Sequence, residues 1–243
     1  MLLKFSGHFE CGRVLICDGL LLQLDFRNAY NSLSRALMVQ RVREAAPGFS
    51  QWVEYIYGQP APLFLHDWQV LLSREGIQQG DPLGPLIFSL AIHPLVKRLH
   101  TLSGVQWSGW YLDDGNLFAS PAAVRACVAM VQADGPSMGH YLNTSKSSVS
   151  GVGLTSELIN TYNLGELKRC MDGPLPATLV LGCPVGSVQY IQSHVATVVV
   201  AKVRRYYDLL PRLLDPQVEL LLMRLSLSVC PVNHLMHTVD PTS

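Results

Sequence analysis

The sequence predicts an α+β fold in which an antiparallel sheet carries helices on one face. Short apolar runs that end in turn residues alternate irregularly with longer segments whose apolar residues recur at helical spacing. Some strand-like runs flank tight turns, as they do in β-hairpins. Of the 243 residues, 49% are hydrophobic and 15% are charged, which allows a sizeable core and excludes a disordered chain.

Each element follows from its local pattern. The elements expected in chain order are a buried strand at residues 19–26, helices at 28–45 and 49–60, a strand at 63–73, a helix at 86–100, a hairpin at 105–120, a helix at 122–139, a strand or turn at 141–149, a strand and turn at 177–186, and helices from 193 to 225. Breaks or turns are expected at Pro47-Gly48, Pro94, Asp113-Asp114-Gly115, Pro211 and Asp215-Pro216.

Composition excludes several classes of protein. No apolar stretch reaches the roughly 20 residues of a membrane span, and the N-terminus lacks the pattern of a signal peptide. The six cysteines have no spacing typical of a zinc or redox site. We therefore expect an intracellular protein, nuclear or cytoplasmic, that is neither secreted nor membrane-bound. Eighteen basic and eighteen acidic residues give zero net charge, so the chain alone should hold nucleic acid weakly.

Three carboxylates are the main candidates for chemistry. Asp25 ends one predicted strand, and Asp113 and Asp114 occupy the predicted hairpin turn. If the strands are neighbours, these side chains meet at one sheet edge, where hard oxygen ligands suit Mg²⁺. Two such ions can activate an attacking hydroxyl and stabilise the leaving oxygen of a phosphoryl transfer. An Asp-Asp-Gly triplet is equally typical of a solvated turn.

Five segments in order along the chain carry a family resemblance. They are QLDFRNAYNSLSR from Gln23, GIQQGDPLGPLIFSLAIHPL from Gly76, YLDDGNLF from Tyr111, YLNTSKS from Tyr141, and VLGCPVG from Val180. The chain resembles reverse transcriptases, and its QGDPLGP loop resembles most the non-LTR type. The resemblance implies a polymerase palm, a short helical thumb and fingers that are largely missing.

The resemblance also implies roles around the metal ions. Asp25 and Asp113 would be the main ligands of two Mg²⁺ ions, for which Mn²⁺ could substitute, and Asp114 would be an auxiliary ligand. The backbone carbonyl of Phe26 would complete a metal shell. Lys146 corresponds to the lysine that protonates or neutralises the pyrophosphate leaving group.

Further residues would contact the incoming nucleotide. Tyr30 matches the steric gate that excludes a ribose 2′-hydroxyl, although it could equally be an ordinary core aromatic. The backbone amides of Asn28 and Ala29 would lie near the triphosphate. Gln79 and Gly80 would pack against the nucleotide and the template base.

The implied partners are an RNA or DNA template with its primer, and deoxynucleoside triphosphates. Leu181 and Gly182, in the turn that resembles the primer grip, would help to hold the primer strand. Other parts of a retroelement polyprotein are further expected partners.

The expected domain division follows the same resemblance. Residues 1–192 would form a reverse transcriptase palm with partial fingers, and residues 193–243 a helical thumb-like segment. In that segment the cations Lys202, Arg204 and Arg205 could contact the nucleic-acid backbone, or could lie on a solvated helix face.

Four functions remain open from the sequence. The first is an RNA-directed DNA polymerase domain of a retroelement, and the second is a catalytically inactive, truncated remnant that binds nucleic acid or protein. An RNA-dependent RNA polymerase is disfavoured by the aromatic Tyr30 at the gate. An unrelated Mg²⁺ phosphohydrolase would not need the QGDPLGP loop. His234 and His237 lack further ligands at suitable spacing, so no metal site is expected there.

Overall fold

The computed structural model describes residues 9–10, 13–14, 19–151, 154–169, 177–185 and 187–224. The chain divides into two compact units. The large unit comprises Gly19–Val149 and Leu154–Arg169, and the small unit comprises the rest of the chain. The predicted division at residue 192 stays a prediction. Leu225, His234 and His237 lie outside the described residues.

Helices and strands both contribute to the large unit. Its elements are β3 (Leu20–Leu24), β4 (Phe26–Arg27), α1 (Ala29–Ser32), α2 (Arg35–Ala45), α3 (Pro47–Tyr57), β5 (Ala61–Phe64), β6 (Val70–Ser73), α4 (Gly84–His100), β7 (Val105–Tyr111), β8 (Asp114–Ala119), α5 (Pro121–Met138), β9 (Tyr141–Leu142), β10 (Ser148–Ser150), α6 (Ser156–Thr161) and β11 (Lys168–Arg169).

The described part of the small unit is mainly helical. Its elements are β1 (Phe9–Glu10), β2 (Arg13–Val14), β12 (Thr178–Val180), β13 (Cys183–Val185), α7 (Val188–His194), a π-helical segment (Val195–Val200), α8 (Ala201–Leu209), a 3₁₀ turn (Leu210–Leu213) and α9 (Pro216–Leu222). The predicted helical pattern from residue 193 is observed, with its breaks near Pro211 and Pro216.

A five-stranded sheet in the order β11-β10-β3-β8-β7 organises the large unit. The β3–β8 and β7–β8 pairs are antiparallel, whereas β10 and β11 pair in parallel at the edge. Leu20, Leu22 and Leu24 alternate with less buried residues, as expected for a strand with one core face. Helices α4 and α5 pack against β7 and β3. The α+β expectation is confirmed.

The turn between β7 and β8 differs from its prediction. Leu112 and Asp113 form it, and Asp114 is already the first residue of β8, paired with Tyr111. Leu112 supplies the positive φ of 55° that the turn requires. Gly115 is small for another reason, because a Cβ there would lie 2.6 Å from the Trp110 ring. The prediction had assigned that glycine to the turn.

Residues 63–73 form a hairpin and not the single predicted strand. β5 and β6 are antiparallel, and a 3₁₀ turn at His66–Trp68 connects them. The amide of Leu65 donates to the carbonyl of Gln69 across this turn, and Trp68 takes a φ of 61°. Without glycine, proline or asparagine at this turn, the alternating apolar pattern concealed the reversal.

The predicted helix at 28–45 is interrupted. Leu33 is extended with ψ 131°, and the Ser34 hydroxyl caps α2 by accepting from the Leu37 amide at 3.4 Å. Pro47 is predicted to stop this helix, and it also begins α3. Proline is favoured in the first turn of a helix because the amide that it lacks would have no hydrogen-bond partner within the helix. The break predicted at Pro94 is not observed, and helix α4 continues through this residue.

None of the helices in the described part of the chain combines the length and apolar character that a bilayer crossing requires.

Candidate active site of the large unit

Strand register places Asp25 and Asp114 beside the last residue pair of the β3–β8 ladder. Leu24 and Gly115 form the last pair of this ladder, so Asp25 directly follows one member of the pair and Asp114 directly precedes the other. Asp25 follows Gln23 on the face away from the leucine core, since side chains alternate along a strand. Asp113 lies in the adjoining turn. The predicted meeting of β3 and the hairpin is therefore observed.

A turn after β9 holds the backbone of Asp25. The amide of Asp25 donates to the Ser147 hydroxyl at 3.0 Å, and its carbonyl accepts from the Asn143 amide at 2.9 Å. The amides of Lys146 and Ser147 both donate to the Asn143 carbonyl and close the turn. Exposed Lys146 thus sits in the turn that fixes Asp25.

Electrostatics also shows that the three carboxylates are neighbours. Partial desolvation raises the pKa of Asp114, and the charges of Asp113 and Asp25 raise it further. The Oδ1 atom of Asp25 is buried and has no hydrogen-bond partner. Such an oxygen is costly unless a donor or cation satisfies it. The carboxylate oxygens of these residues, including the unsatisfied Oδ1 atom of Asp25, are suitable ligands for a hard divalent cation.

The carboxylates do not converge as a complete ligand set. Within the described part of the chain, no group of three or more His, Cys, Asp or Glu side chains has the geometry of a metal site.

An aromatic column connects the candidate gate to the candidate metal shell. The Tyr30 ring stacks on Phe88 at 4.6 Å with an interplanar angle of 2°. Phe88 contacts His140 at 5.4 Å, and His140 contacts Phe26 at 5.3 Å. Burial raises the pKa of Tyr30, and nearby Asp113 and Tyr111 raise it further. Tyr30 therefore lies close enough to Asp113 for their charges to interact.

A short helical turn presents the two candidate amides. Asn28 is exposed and left-handed, with φ 47° and ψ 38°, and its carbonyl accepts from the amides of Asn31 and Ser32. Ala29 is buried as the first residue of α1. The left-handed residue turns the chain directly after β4 and begins α1, the short helix that carries Tyr30.

Gln79 and Gly80 lie exposed on the loop before α4. Beneath them, the Tyr57 hydroxyl donates a short hydrogen bond to Oδ2 of Asp81. The Asp81 Oδ1 atom accepts from the Leu83 amide at 2.9 Å. Sequence reasoning missed the Tyr57–Asp81 pair, because the partners are 24 residues apart and only Asp81 belongs to a recognised motif.

The predicted primer residues belong to the small unit. Leu181 and Gly182 form the turn between β12 and β13, with φ of 50° and 79°. The predicted strand and turn are therefore a two-stranded hairpin. Two consecutive residues of positive φ suit the twist of such a hairpin.

Sequence comparison identifies the family to which the chain belongs. A sequence model of the family "Reverse transcriptase (RNA-dependent DNA polymerase)" matches residues 17–166. The chain belongs to the reverse transcriptase family. The resemblance to reverse transcriptases is confirmed, and the matched range contains four of the five motifs and all the candidate residues of the large unit. The VLGCPVG motif lies beyond the matched range, so its assignment stays a prediction.

Relatives of this reverse transcriptase chain include proteins of retrotransposable elements. It is 32% identical over 146 residues to the retrotransposable element SLACS 132 kDa protein of Trypanosoma brucei gambiense, covering 54% of this chain and 12% of that protein. It is 32% identical over 88 residues to the retrovirus-related Pol polyprotein from type-2 retrotransposable element R2DM of Drosophila melanogaster, covering 34% and 8%. The chain thus spans about a tenth of the length of these curated relatives.

A solved structure of telomerase from Candida albicans, in complex with a TWJ fragment of telomeric RNA, matches with a TM-score of 0.46. The sequences are 14% identical, and the match covers 80% of this chain and 36% of the telomerase chain.

Proposed function

We propose that this chain is the palm of an RNA-directed DNA polymerase of a retroelement, which adds deoxynucleotides to a primer 3′ end. The observation that carries the proposal is the register that pairs Leu24 with Gly115, so that Asp25 and Asp114 adjoin the same pair and Asp113 lies in the adjoining turn. Carboxylates at one sheet edge, with an aromatic residue of the gate type nearby, support nucleotidyl transfer more specifically than either feature alone.

The proposed cofactor is a pair of Mg²⁺ ions, for which Mn²⁺ could substitute. Asp25, Asp113 and the Phe26 carbonyl would hold them, with Asp114 as an auxiliary ligand. When bound, such ions supply an activated primer hydroxyl and charge stabilisation of the pyrophosphate. The buried, unpartnered Oδ1 atom of Asp25 supports this assignment.

Other residues of the site would position the incoming nucleotide. The Tyr30 ring, held flat against Phe88, would form a fixed wall beside the sugar and exclude a ribose 2′-hydroxyl. The amides of Asn28 and Ala29 would face the triphosphate. Holding reactants in the geometry of attack can account for much of a rate enhancement.

Residues on two loops would complete the nucleotide site. Gln79 and Gly80 would contact the nucleotide and template base from the exposed loop before α4. Lys146, on the turn that fixes Asp25, would neutralise or protonate the leaving pyrophosphate.

The small unit would serve the primer and template. Leu181 and Gly182 would support the primer strand, and the predicted thumb from residue 193 would contribute Lys202, Arg204 and Arg205 to contacts with phosphates. Their side chains lie on α8, the helix with the strongest cluster of cations in that segment.

Primer extension on an RNA template with Mg²⁺ and deoxynucleotides tests the proposal. The parent chain should extend the primer, and Asp113→Ala should reduce the rate at least about 100-fold, because a ligand of the ions that would stabilise charge on the reacting phosphate is lost. Glu157→Ala, which removes an exposed carboxylate from α6, is the matched control and should extend normally. Extension by Asp113→Ala at the parent rate would contradict the assignment of Asp113 as a metal ligand.

The second candidate is a catalytically inactive remnant that binds nucleic acid or protein. One observation favours it: the net charge is zero, so the chain carries no overall basic excess to hold a nucleic acid during synthesis. It predicts a folded parent chain, by circular dichroism, that binds a primer–template without extending it. Extension by the parent would exclude this candidate.

A further inference from the structure

The exposed loop before α4 rests on a buried tyrosine. Tyr57 ends α3 and is 1% exposed. Its hydroxyl donates to Oδ2 of Asp81 and accepts from the Gln78 amide at 3.4 Å. Burial, together with the bond to Asp81, raises the pKa of Tyr57 to about 12, so the hydroxyl keeps its proton at neutral pH.

Asp81 transmits this contact to the loop backbone. Its Oδ1 accepts from the Leu83 amide at 2.9 Å, and its own amide donates to the Gln78 carbonyl at 3.2 Å. The Asp81 carbonyl also accepts from the amide of Gly84, the first residue of α4. Asp81 therefore holds the turn that carries Gln79 and Gly80 through its carboxylate at Leu83 and through its backbone amide at Gln78.

A buried arginine supports Tyr57 from the other side. Arg35 is 8% exposed, and its guanidinium lies 5.4 Å from the centre of the Tyr57 ring. Its nitrogens donate to the carbonyls of Gly76 and Ser73 and to the Ser73 hydroxyl, at 2.7–3.0 Å. A buried charge is tolerated when hydrogen bonds such as these three compensate for the loss of water. Arg35 thereby connects α2 with the segment that leads into the loop.

The same segment is joined to the turn that carries Tyr30. The Ile77 amide donates to the Tyr30 carbonyl, and the Gly76 amide to the Leu33 carbonyl, both at 2.8 Å. Gly76 has a φ of 74°, and a Cβ there would lie 2.3 Å from the Asn31 carbonyl oxygen. The loop and the candidate gate are therefore held to each other by backbone contacts.

From these contacts we infer that Tyr57 is a positioning residue for the incoming nucleotide. Its hydroxyl holds Asp81, Asp81 holds the turn, and the turn places Gln79 and Gly80 at the nucleotide. This inference rests on the proposed polymerase function. A tyrosine that served only the hydrophobic core would have no need of its hydroxyl, since phenylalanine would fill the same volume.

Tyr57→Phe in the full chain separates these roles, because it keeps the ring under Arg35 and removes the hydroxyl alone. Tyr55→Phe is the matched control, since Tyr55 lies on the same helix and is 88% exposed. Tyr57→Phe should raise the KM for the deoxynucleotide about tenfold, as expected when a hydrogen bond to a charged group is lost, with kcat within about twofold. Tyr55→Phe should match the parent.

A second variant tests whether the hydroxyl acts through Asp81. Asp81→Asn should also raise this KM. The double variant should raise it no further than the larger single effect, because residues that act as one unit are not additive. Additive effects would overturn the coupling.

Hydrogen exchange provides a readout that does not need activity. The amides of Gln78 and Leu83 should exchange at least about tenfold faster in Tyr57→Phe, while amides in α5 stay unchanged. If the parent does not extend primers, the polymerase proposal fails for this chain, and exchange alone decides whether Tyr57 holds the loop. Unchanged exchange at both amides, or an unchanged KM in an active chain, overturns the inference.

Discussion

The two units use similar apolar residues in different ways. In the large unit, α4 buries seven residues and α5 six, against a sheet face that carries Leu22 and Leu117. In the small unit, the π-helical segment, α8 and α9 bury none of their described residues. Several aliphatic side chains there stay about half exposed, among them Val198, Val200 and Leu220. The comparison shows that an apolar helical pattern does not by itself build a core.

Sheet architecture explains the difference. The buried apolar residues of β3 and β8, in the middle of a five-stranded sheet, give the large unit a face on which helices can lie. The described strands of the small unit form only two-stranded hairpins, and its helices follow one another along the chain. They surround an open cleft of about 810 Å³, lined by Val199, Val203, Leu209 and other residues. Free energy of unfolding should therefore depend on the large unit far more than on the small one.

The largest expected effect is that of Phe88→Ala. Phe88 is fully buried in α4 and stacks on Tyr30, so truncation leaves a cavity and should reduce the free energy of unfolding by about 3–5 kcal/mol. Phe49→Ala, at a residue of α3 that is half exposed, is the control and should cost less than about 1 kcal/mol. Urea unfolding followed by circular dichroism measures both. Equal losses would mean that the large unit lacks the close-packed core described above.

The next effect depends on pH and on His140. Burial lowers the pKa of His140 to about 4 from the ordinary 6.5, and neither ring nitrogen has a hydrogen-bond partner. Between these pH values the unfolded chain binds a proton that the folded chain excludes, so stability falls as pH falls from about 6.5 to about 4. The loss from this residue should reach about 3 kcal/mol.

Replacing the imidazole isolates that contribution. His140→Leu keeps an apolar side chain between Phe26 and Phe88 and removes the titrating group. The variant should lose less stability than the parent between pH 6.5 and 4, measured by urea unfolding at each pH. Parallel curves for parent and variant would show that His140 does not resist protonation in the folded chain.

Much of the large unit could be predicted from local pattern. The run LLLQL before Asp25 alternates as a strand, and the apolar spacing of α4 and α5 sets their extents within a few residues. The order of the motifs along the chain also indicated the family. The observed register of β3 and β8 places Asp25 beside the hairpin. These features depend on residues close in sequence or on a known motif.

The errors arose where distant contacts decide local structure. Gly115 looked like a turn residue, but its small size serves the Trp110 ring. The reversal at His66–Trp68 has Asp67 as its only common turn residue, without glycine, proline or asparagine beside it. The Tyr57–Asp81 bond joins two elements that only folding brings together. Sequence spacing alone cannot report such contacts.

The smallest expected effect makes the sharpest test of the comparison, because one residue type is changed in the same way in both units. Val128 in α5 is 0% exposed, whereas Val198 in the π-helical segment is 50% exposed. Val128→Ala should reduce the free energy of unfolding by about 1.5–3 kcal/mol, through lost burial and a small cavity. Val198→Ala should change it by less than about 0.5 kcal/mol. If Val198→Ala proved as costly as Val128→Ala, the apolar surface of the small unit would have to be covered in solution, and the contrast between the units would disappear.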